Sequence, residues 1–197
     1  VGFMGSLFAQ QIRDRQKSFP FLEIVGEPGT GKSTLLSFFW RLIGRDSYEG
    51  IDPNKTTKAG RLRSLSQTSN MPSVFIESDR DGAGVGRNSQ FNWDELKNLY
   101  DGGTVGTRGV KSAGNEVYEP PFRGTIVISQ NLPVVASKAV LSRICHLFFT
   151  VDRQTRDSEA AARRIEGLQT EDISHFLADV LKLEDKFLQT FFDTKMQ

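Results

Sequence analysis

The eight residues from Gly26 to Ser33 constrain the fold more than any other part of the chain, because they read Gly-Glu-Pro-Gly-Thr-Gly-Lys-Ser. They follow a strand-like run at 21–25 and precede a helical pattern at 32–43 that ends at Gly44. In this order the glycines let successive backbone N–H groups face a phosphate, and the start of the helix adds a favourable dipole. The pattern G-x-x-x-x-G-K-[ST] in this context predicts a phosphate loop.

The residue types within the phosphate loop (residues 26–33) predict distinct roles. Lys32 is expected to reach the β- and γ-phosphates of a nucleotide, and the Ser33 hydroxyl is expected to ligate Mg²⁺. ATP and Mg²⁺ are the cofactors that this chemistry predicts. The residues expected to contact the nucleotide are Gly26, Glu27, Pro28, Gly29, Thr30, Gly31, Lys32, Ser33 and Thr34.

An acidic residue on a second strand is needed to hold the metal and to orient the attacking water. The apolar run at 73–76 leads into Glu77, and Asp79 lies two residues further along. We favour Glu77 as the catalytic or metal-facing acid. Either residue or both can face the magnesium, so the division of roles between Glu77 and Asp79 stays open at this point.

Two more polar residues occur at the ends of predicted strands. Asn131 follows the run at 125–129, where its amide can hydrogen-bond the γ-phosphate or the attacking water, although asparagine at such a position is also a common turn former. Arg143 lies just before the last strand, where an exposed guanidinium can reach the nucleotide of a neighbouring subunit. The alternative for Arg143 is a surface salt bridge.

Strand-like runs alternate with helical patterns along the chain, and five of them are found, at 21–25, 48–51, 73–77, 125–129 and 146–149. Apolar strands separated by helices predict an α/β fold with a five-stranded, mainly parallel sheet between helices. An amphipathic leading helix is expected at 1–19, the core at 20–151 and a helical segment at 152–197, of which 158–166 and 170–192 have helical patterns. We expect the chain to be a piece of a longer protein.

Composition excludes several classes of protein. The single cysteine, Cys145, rules out an intrachain disulfide framework and a four-cysteine zinc site, which favours a reducing cytoplasm. No apolar stretch approaches the roughly 18 residues that a membrane span requires. With 25 Lys and Arg against 24 Asp and Glu, the net charge of +1 predicts no binding to polyanions unless basic residues are clustered locally.

Four segments resemble motifs A, B, B′ and C of the superfamily 3 helicases, which are AAA+ ATPases of viruses, phages and plasmids and are often fused to a primase. The segments are 26–33, 77–79, 96–108 and 126–133. The third is the most specific, because Lys97, a Gly102-Gly103 turn and a basic hairpin precede a strand that ends in Asn131-Leu132-Pro133. One departure is that Glu77 and Asp79 are separated by a serine instead of being adjacent.

The resemblance implies a P-loop NTPase of the AAA+ type, with the strand of Asn131 between the strands of the phosphate loop and of the acids. It makes Asn131 the residue called sensor 1 and Arg143 the arginine finger. Members of the family form rings, usually hexamers, that share each ATP site between two subunits and grip single-stranded DNA with a central hairpin. The residues that gather positive charge on and beside that hairpin are Lys97, Arg108, Lys111 and Arg123.

Two functions from different classes follow from these observations. The first is the ATP-driven motor of a phage- or plasmid-type replication helicase, which moves single-stranded DNA through a ring. The alternative is an AAA+ protein that remodels or loads another protein without DNA in its channel. A P-loop kinase fits less well, because the spacing offers an Asn-tipped strand and an interface arginine instead of a substrate lid.

Overall fold

A computed structural model describes residues 2–48, 50–76, 91–109, 117–153 and 155–195. The predicted acids Glu77 and Asp79, and Lys111 of the predicted hairpin, lie outside these residues. The chain separates into two compact units, the first formed by 1–24 and 50–147 and the second by 25–49 and 148–197. Within the described residues, no helix is long and apolar enough to cross a membrane.

Seven strands are described, and five of them form one sheet. They are β1 (Phe21–Gly26), β2 (Gly50–Ile51), β3 (Ser69–Ile76), β4 (Arg108–Gly109), β5 (Val117–Tyr118), β6 (Arg123–Gln130) and β7 (Ile144–Phe149). The order in the sheet is β2–β3–β6–β1–β7, and β3 pairs in parallel with both β2 and β6. The predicted α/β class and the position of β6 between β1 and β3 are confirmed.

The helices also follow the predicted alternation. They are α1 (Gly2–Ser6), α2 (Ala9–Gln16), α3 (Lys32–Leu42), α4 (Lys58–Gln67), α5 (Lys138–Leu141), α6 (Arg156–Gly167), α7 (Thr170–Ile173), α8 (His175–Leu181) and α9 (Glu184–Lys195). In the first unit, α1 and α2 pack against β3, and α2 also packs against β6. The side chains of Val74, Phe75, Ile126, Val127 and Ile128 are almost completely buried, as expected for central strands covered on both faces.

The leading segment differs from the single helix predicted for 1–19. Phe8 leaves the helical conformation, with φ −124° and ψ 22°, and separates α1 from α2. Leu7 and Phe8 are adjacent and both buried, at 3% and 0% exposure. Because consecutive residues of one straight helix point about 100° apart, a break at this point lets both side chains enter the core.

The second unit contains α3 and the C-terminal helices. The helix predicted at 170–192 is instead three helices, α7, α8 and α9, and α3 packs against α6, α7 and α8. α6 begins with a capping box, in which Thr155 Oγ1 accepts a hydrogen bond from Ser158 N and Ser158 Oγ accepts one from Thr155 N. This helix therefore has a defined start close in sequence to the end of β7.

Candidate nucleotide-binding site

The phosphate loop needs glycine at three positions for two different reasons. Gly29 and Gly31 have φ of +81° and +91°, a left-handed conformation that other residues adopt at a cost. Gly26 is crowded, because a Cβ atom there would lie 2.6 Å from the carbonyl oxygen of Phe149. The loop can therefore curl tightly between the end of β1 and the start of α3.

The Lys32 ammonium lies against the backbone of the loop it follows. Its Nζ donates hydrogen bonds to the carbonyl of Gly26 and, at 2.9 Å, to the carbonyl of Glu27. Thr30 also closes the loop, because its N–H and its hydroxyl both donate to the Glu27 carbonyl, at 3.3 and 2.8 Å. Partial burial removes water from the Lys32 ammonium and lowers its pKa. A bound anion would replace some of the lost hydration of this charge.

Helix α3 begins immediately after the left-handed Gly31, and none of the described side chains caps its N-terminus. In loops of this kind, a bound anion accepts hydrogen bonds from the first N–H groups of the helix. Ser33 is exposed at this end of the helix, and its hydroxyl is a ligand type that Mg²⁺ accepts. The residues present at the loop therefore fit a phosphate group and an accompanying magnesium ion.

Thr34, which the sequence also assigns to the nucleotide, contacts helix α6 in this structure. Its hydroxyl donates a hydrogen bond of 2.9 Å to Glu166 Oε1. Two turns further along α3, Arg41 Nη1 donates to the carbonyls of Ile165, Glu166 and Leu168, at 3.3, 2.9 and 2.8 Å. Both contacts hold the C-terminal end of α6 against α3, and the Arg41 charge is favourable beside these carbonyls.

A cavity of about 690 Å³ lies beside the phosphate loop, within the second unit. One wall is formed by the loop and the start of α3, and another by Phe148, Phe149 and α6. Its residues include the apolar side chains of Leu35, Ala162 and Ile165 and the polar side chains of Ser158 and Glu159. This size and mixture of apolar and polar groups are typical of small-ligand sites.

Two of the other predicted catalytic residues, Asn131 and Arg143, lie in the first unit. Asn131 is exposed directly after β6. Arg143 is half-buried, with its Nη1 donating to the Ala139 carbonyl at 2.7 Å and its guanidinium 5.2 Å from the centre of the Tyr100 ring. The predicted roles of these two residues, and of Glu77 and Asp79, remain predictions.

The basic hairpin predicted after the Gly102-Gly103 turn includes an antiparallel pair of strands. β4 pairs with β5, with Arg108 opposite Tyr118. The ladder continues through Phe122 N, which donates to the Gly103 carbonyl, and Val105 N, which donates to the Pro120 carbonyl, both at 2.9 Å. Lys97 and Arg123 are exposed, whereas the side chain of Arg108 is outside what the structure describes.

A buried carboxylate, which the sequence reasoning missed, lies next to the end of β6. Glu23 is 0% exposed, and its Oε1 accepts hydrogen bonds from Gln130 Nε2 at 2.7 Å and from Val134 N at 2.6 Å. Its Oε2 contacts His146 Nδ1. The sequence does contain a signal for this cluster, because Glu23 is the one carboxylate in the otherwise apolar run of β1 and a buried charge requires polar partners.

No protein-family model and no curated protein sequence matches this chain. Among solved structures, the chain is similar to "SCCmec type IV Cch - active helicase", with 14% identity and a TM-score of 0.59. That match covers 98% of this chain but only 35% of the other, so this chain spans about a third of that helicase's length. A structure of JCV Helicase matches with 14% identity, a TM-score of 0.47 and coverage of 100% and 61%.

The similarity to the SCCmec protein establishes a fold of the kind found in helicases. The five-stranded α/β sheet and the glycine loop between β1 and α3 agree with the P-loop NTPase architecture. At 14% identity the similarity carries the fold and nothing further.

Proposed function

We propose that this chain is the ATPase motor of a DNA helicase of the phage or plasmid replication type. The observation that carries the proposal is the phosphate loop, where two left-handed glycines lead into α3 and the ammonium of its first residue, Lys32, lies against the loop carbonyls. The fold that the chain shares with the SCCmec helicase is compatible with this activity. Membership of superfamily 3 is part of the proposal and rests on the motif resemblance.

The phosphate loop would hold the β- and γ-phosphates, with Lys32 exchanging its hydrogen bonds to the loop carbonyls for phosphate oxygens. The helix N-terminus would stabilise the negative charge that develops during in-line attack by water. The cavity of about 690 Å³ would accept the nucleoside, since the loop forms part of its wall. Ser33 and the acids Glu77 and Asp79 would hold a magnesium ion, which would supply positive charge to offset that of the phosphates.

The remaining residues complete a site shared between subunits. Asn131 would orient the attacking water or the γ-phosphate, and Arg143 would reach the nucleotide of the next subunit in a ring, with a hexamer as the expected assembly. Because Arg143 packs on Tyr100 in this structure, this role requires its guanidinium to leave that ring. We propose a core at 20–151, with a leading segment at 1–19 and a helical segment at 152–197.

DNA binding would reside in the antiparallel hairpin and its neighbours. Single-stranded DNA is the proposed partner, gripped by Lys97, Arg108, Lys111 and Arg123. A fused or associated primase and a cytoplasmic location belong to the same proposal. The positive charge is local, since the net charge of the chain is only +1.

Nucleotide binding by two lysine variants tests the site. We expect Lys32→Ala to abolish ATP hydrolysis and to weaken binding of Mg-ATP at least tenfold, because the variant removes a phosphate-facing charge. Lys182→Ala is the matched control, since Lys182 is an exposed lysine of the same unit. If Lys32→Ala hydrolysed ATP at the full rate, the phosphate loop would not be the nucleotide-binding site.

DNA binding is tested on the hairpin. Replacing Arg108 and Lys111 by alanine should weaken binding to single-stranded DNA and make the salt dependence shallower, by about one unit of slope per lost phosphate contact. Lys55 and Arg63 are exposed in the same unit and provide the control pair. An unchanged salt slope would remove the hairpin from DNA binding and favour the protein-remodelling alternative.

A further inference from the structure

We propose that Glu23 is a positioning residue that fixes the turn carrying Asn131. This inference rests on the proposed function, in which Asn131 faces the reacting γ-phosphate. One carboxylate oxygen, Glu23 Oε1, holds both ends of the segment 130–134 through Gln130 Nε2 and Val134 N. Asn131 lies between these two attachment points.

The geometry limits how far the turn can move. The two hydrogen bonds to Glu23 Oε1 are short, at 2.7 and 2.6 Å, and both are buried. Hydrogen bonds to a charged acceptor are stronger than those between neutral groups, especially away from water. Asn131 is exposed, and the carboxylate that holds both ends of the turn restricts the backbone that carries it.

His146 completes the environment of the carboxylate. Its Nδ1 contacts Glu23 Oε2, the oxygen that the turn does not use. The histidine thus leaves Oε1 to the turn and restrains rotation of the carboxylate. Glu23 lies on β1, three residues before Gly26, so the same strand leads into the phosphate loop and supports the Asn131 turn.

The kinetic effect of replacing Glu23 depends on whether its carboxylate only stabilises the fold or also positions Asn131. Misplacing a catalytic group by about 1 Å can cost on the order of 100-fold in rate. Glu23→Ala should therefore lower kcat for ATP at least tenfold while leaving the affinity for Mg-ATP within about threefold of the unmodified chain. Glu23→Gln should restore most of kcat, because an amide oxygen can still accept from Gln130 and Val134.

The deciding measurement is a double-mutant cycle with Asn131→Ala. If Glu23 acts through Asn131, the double variant Glu23→Ala/Asn131→Ala should have the kcat of Asn131→Ala within about twofold. Multiplicative losses would overturn the proposal. If Glu23→Ala does not fold, Gln130→Met provides the same test, because it removes one of the two hydrogen bonds to Glu23 Oε1. Its loss of kcat should also combine non-multiplicatively with that of Asn131→Ala.

The control removes a similar contact elsewhere on β6. Thr125 is 2% exposed and its hydroxyl donates to the Pro20 carbonyl at 3.1 Å, so Thr125→Val loses a partly buried hydrogen bond without touching the turn. We expect its kcat to be unchanged, and a loss equal to that of Glu23→Ala would overturn the proposal. If Lys32→Ala hydrolyses ATP normally, or Asn131→Ala has normal kcat, the proposed function fails instead.

Discussion

Replacing Arg13 by methionine should destabilise the first unit by about 2–4 kcal/mol. Arg13 is 4% exposed on α2, and it donates to the carbonyls of Tyr100 and Leu99 at 3.1 and 3.3 Å. Its guanidinium also lies 5.3 Å from the centre of the Phe122 ring. These contacts attach α2 to the chain just before the hairpin, so their loss also frees the base of the hairpin.

The magnitude follows from opposing contributions. Two hydrogen bonds from a charged donor contribute about 1.5–3 kcal/mol each, and the contact with the Phe122 ring adds about 0.5–1 kcal/mol. Against this, burial lowers the pKa of Arg13 to about 10, despite attraction to Asp101, and Nη1 has no hydrogen-bond partner among the described residues. Methionine at position 13 avoids the free-energy cost of burying a charge. The net loss in the free energy of unfolding is therefore about 2–4 kcal/mol.

Urea unfolding followed by Trp93 fluorescence measures the effect. Trp93 packs against Phe91 in the first unit, with ring centres 5.0 Å apart, and a Trp40→Phe reference chain removes the only other tryptophan. Arg15→Met on the same helix is the control, since Arg15 is exposed and its loss should cost less than about 0.5 kcal/mol. Equal free energies of unfolding for Arg13→Met and the reference chain would mean that the Arg13 contacts do not stabilise the first unit.

Three further predictions concern the second unit. Gly26→Ala should weaken Mg-ATP binding at least tenfold in a titration, because the new Cβ would lie 2.6 Å from the Phe149 carbonyl oxygen; unchanged affinity would contradict this crowding. Arg41→Met removes three hydrogen bonds to the end of α6 and should speed limited proteolysis there, whereas Arg45→Met, exposed beyond α3, should not. Thr155→Ala removes the capping box of α6 and should cost about 1 kcal/mol in urea unfolding; no loss would mean that this cap does not stabilise the helix.

The main sheet was predictable because its strands are short apolar runs, and three of them, β1, β3 and β6, have consecutive buried residues. Each of the five runs identified in the sequence corresponds to a strand of the sheet. The break at Phe8 was not predictable, since helical spacing persists through it and burial of Leu7 and Phe8 together decides the outcome. The segment after Asn92 is a 3₁₀ helix, Trp93–Leu99, and the Asn92 side chain accepts a hydrogen bond from Asp94 N at its start.

The phosphate loop was predictable because all its groups are consecutive in the chain. The Glu23 cluster was not, since its partners Gln130, Val134 and His146 are 107, 111 and 123 residues away in sequence. The contact of Thr34 with Glu166 spans 132 residues, which is why Thr34 was assigned only to the nucleotide. Periodicity and motif spacing describe local chain geometry, whereas these contacts depend on how strands and helices meet.

The most direct test of the account is the rate of ATP hydrolysis per subunit against protein concentration, with and without single-stranded DNA, using Lys32→Ala as the blank. If ATP sites are shared between subunits, the rate of hydrolysis per subunit should rise with protein concentration. It should rise further when single-stranded DNA is added. A rate that is independent of concentration and indifferent to DNA would contradict the account and indicate a self-contained nucleotide site.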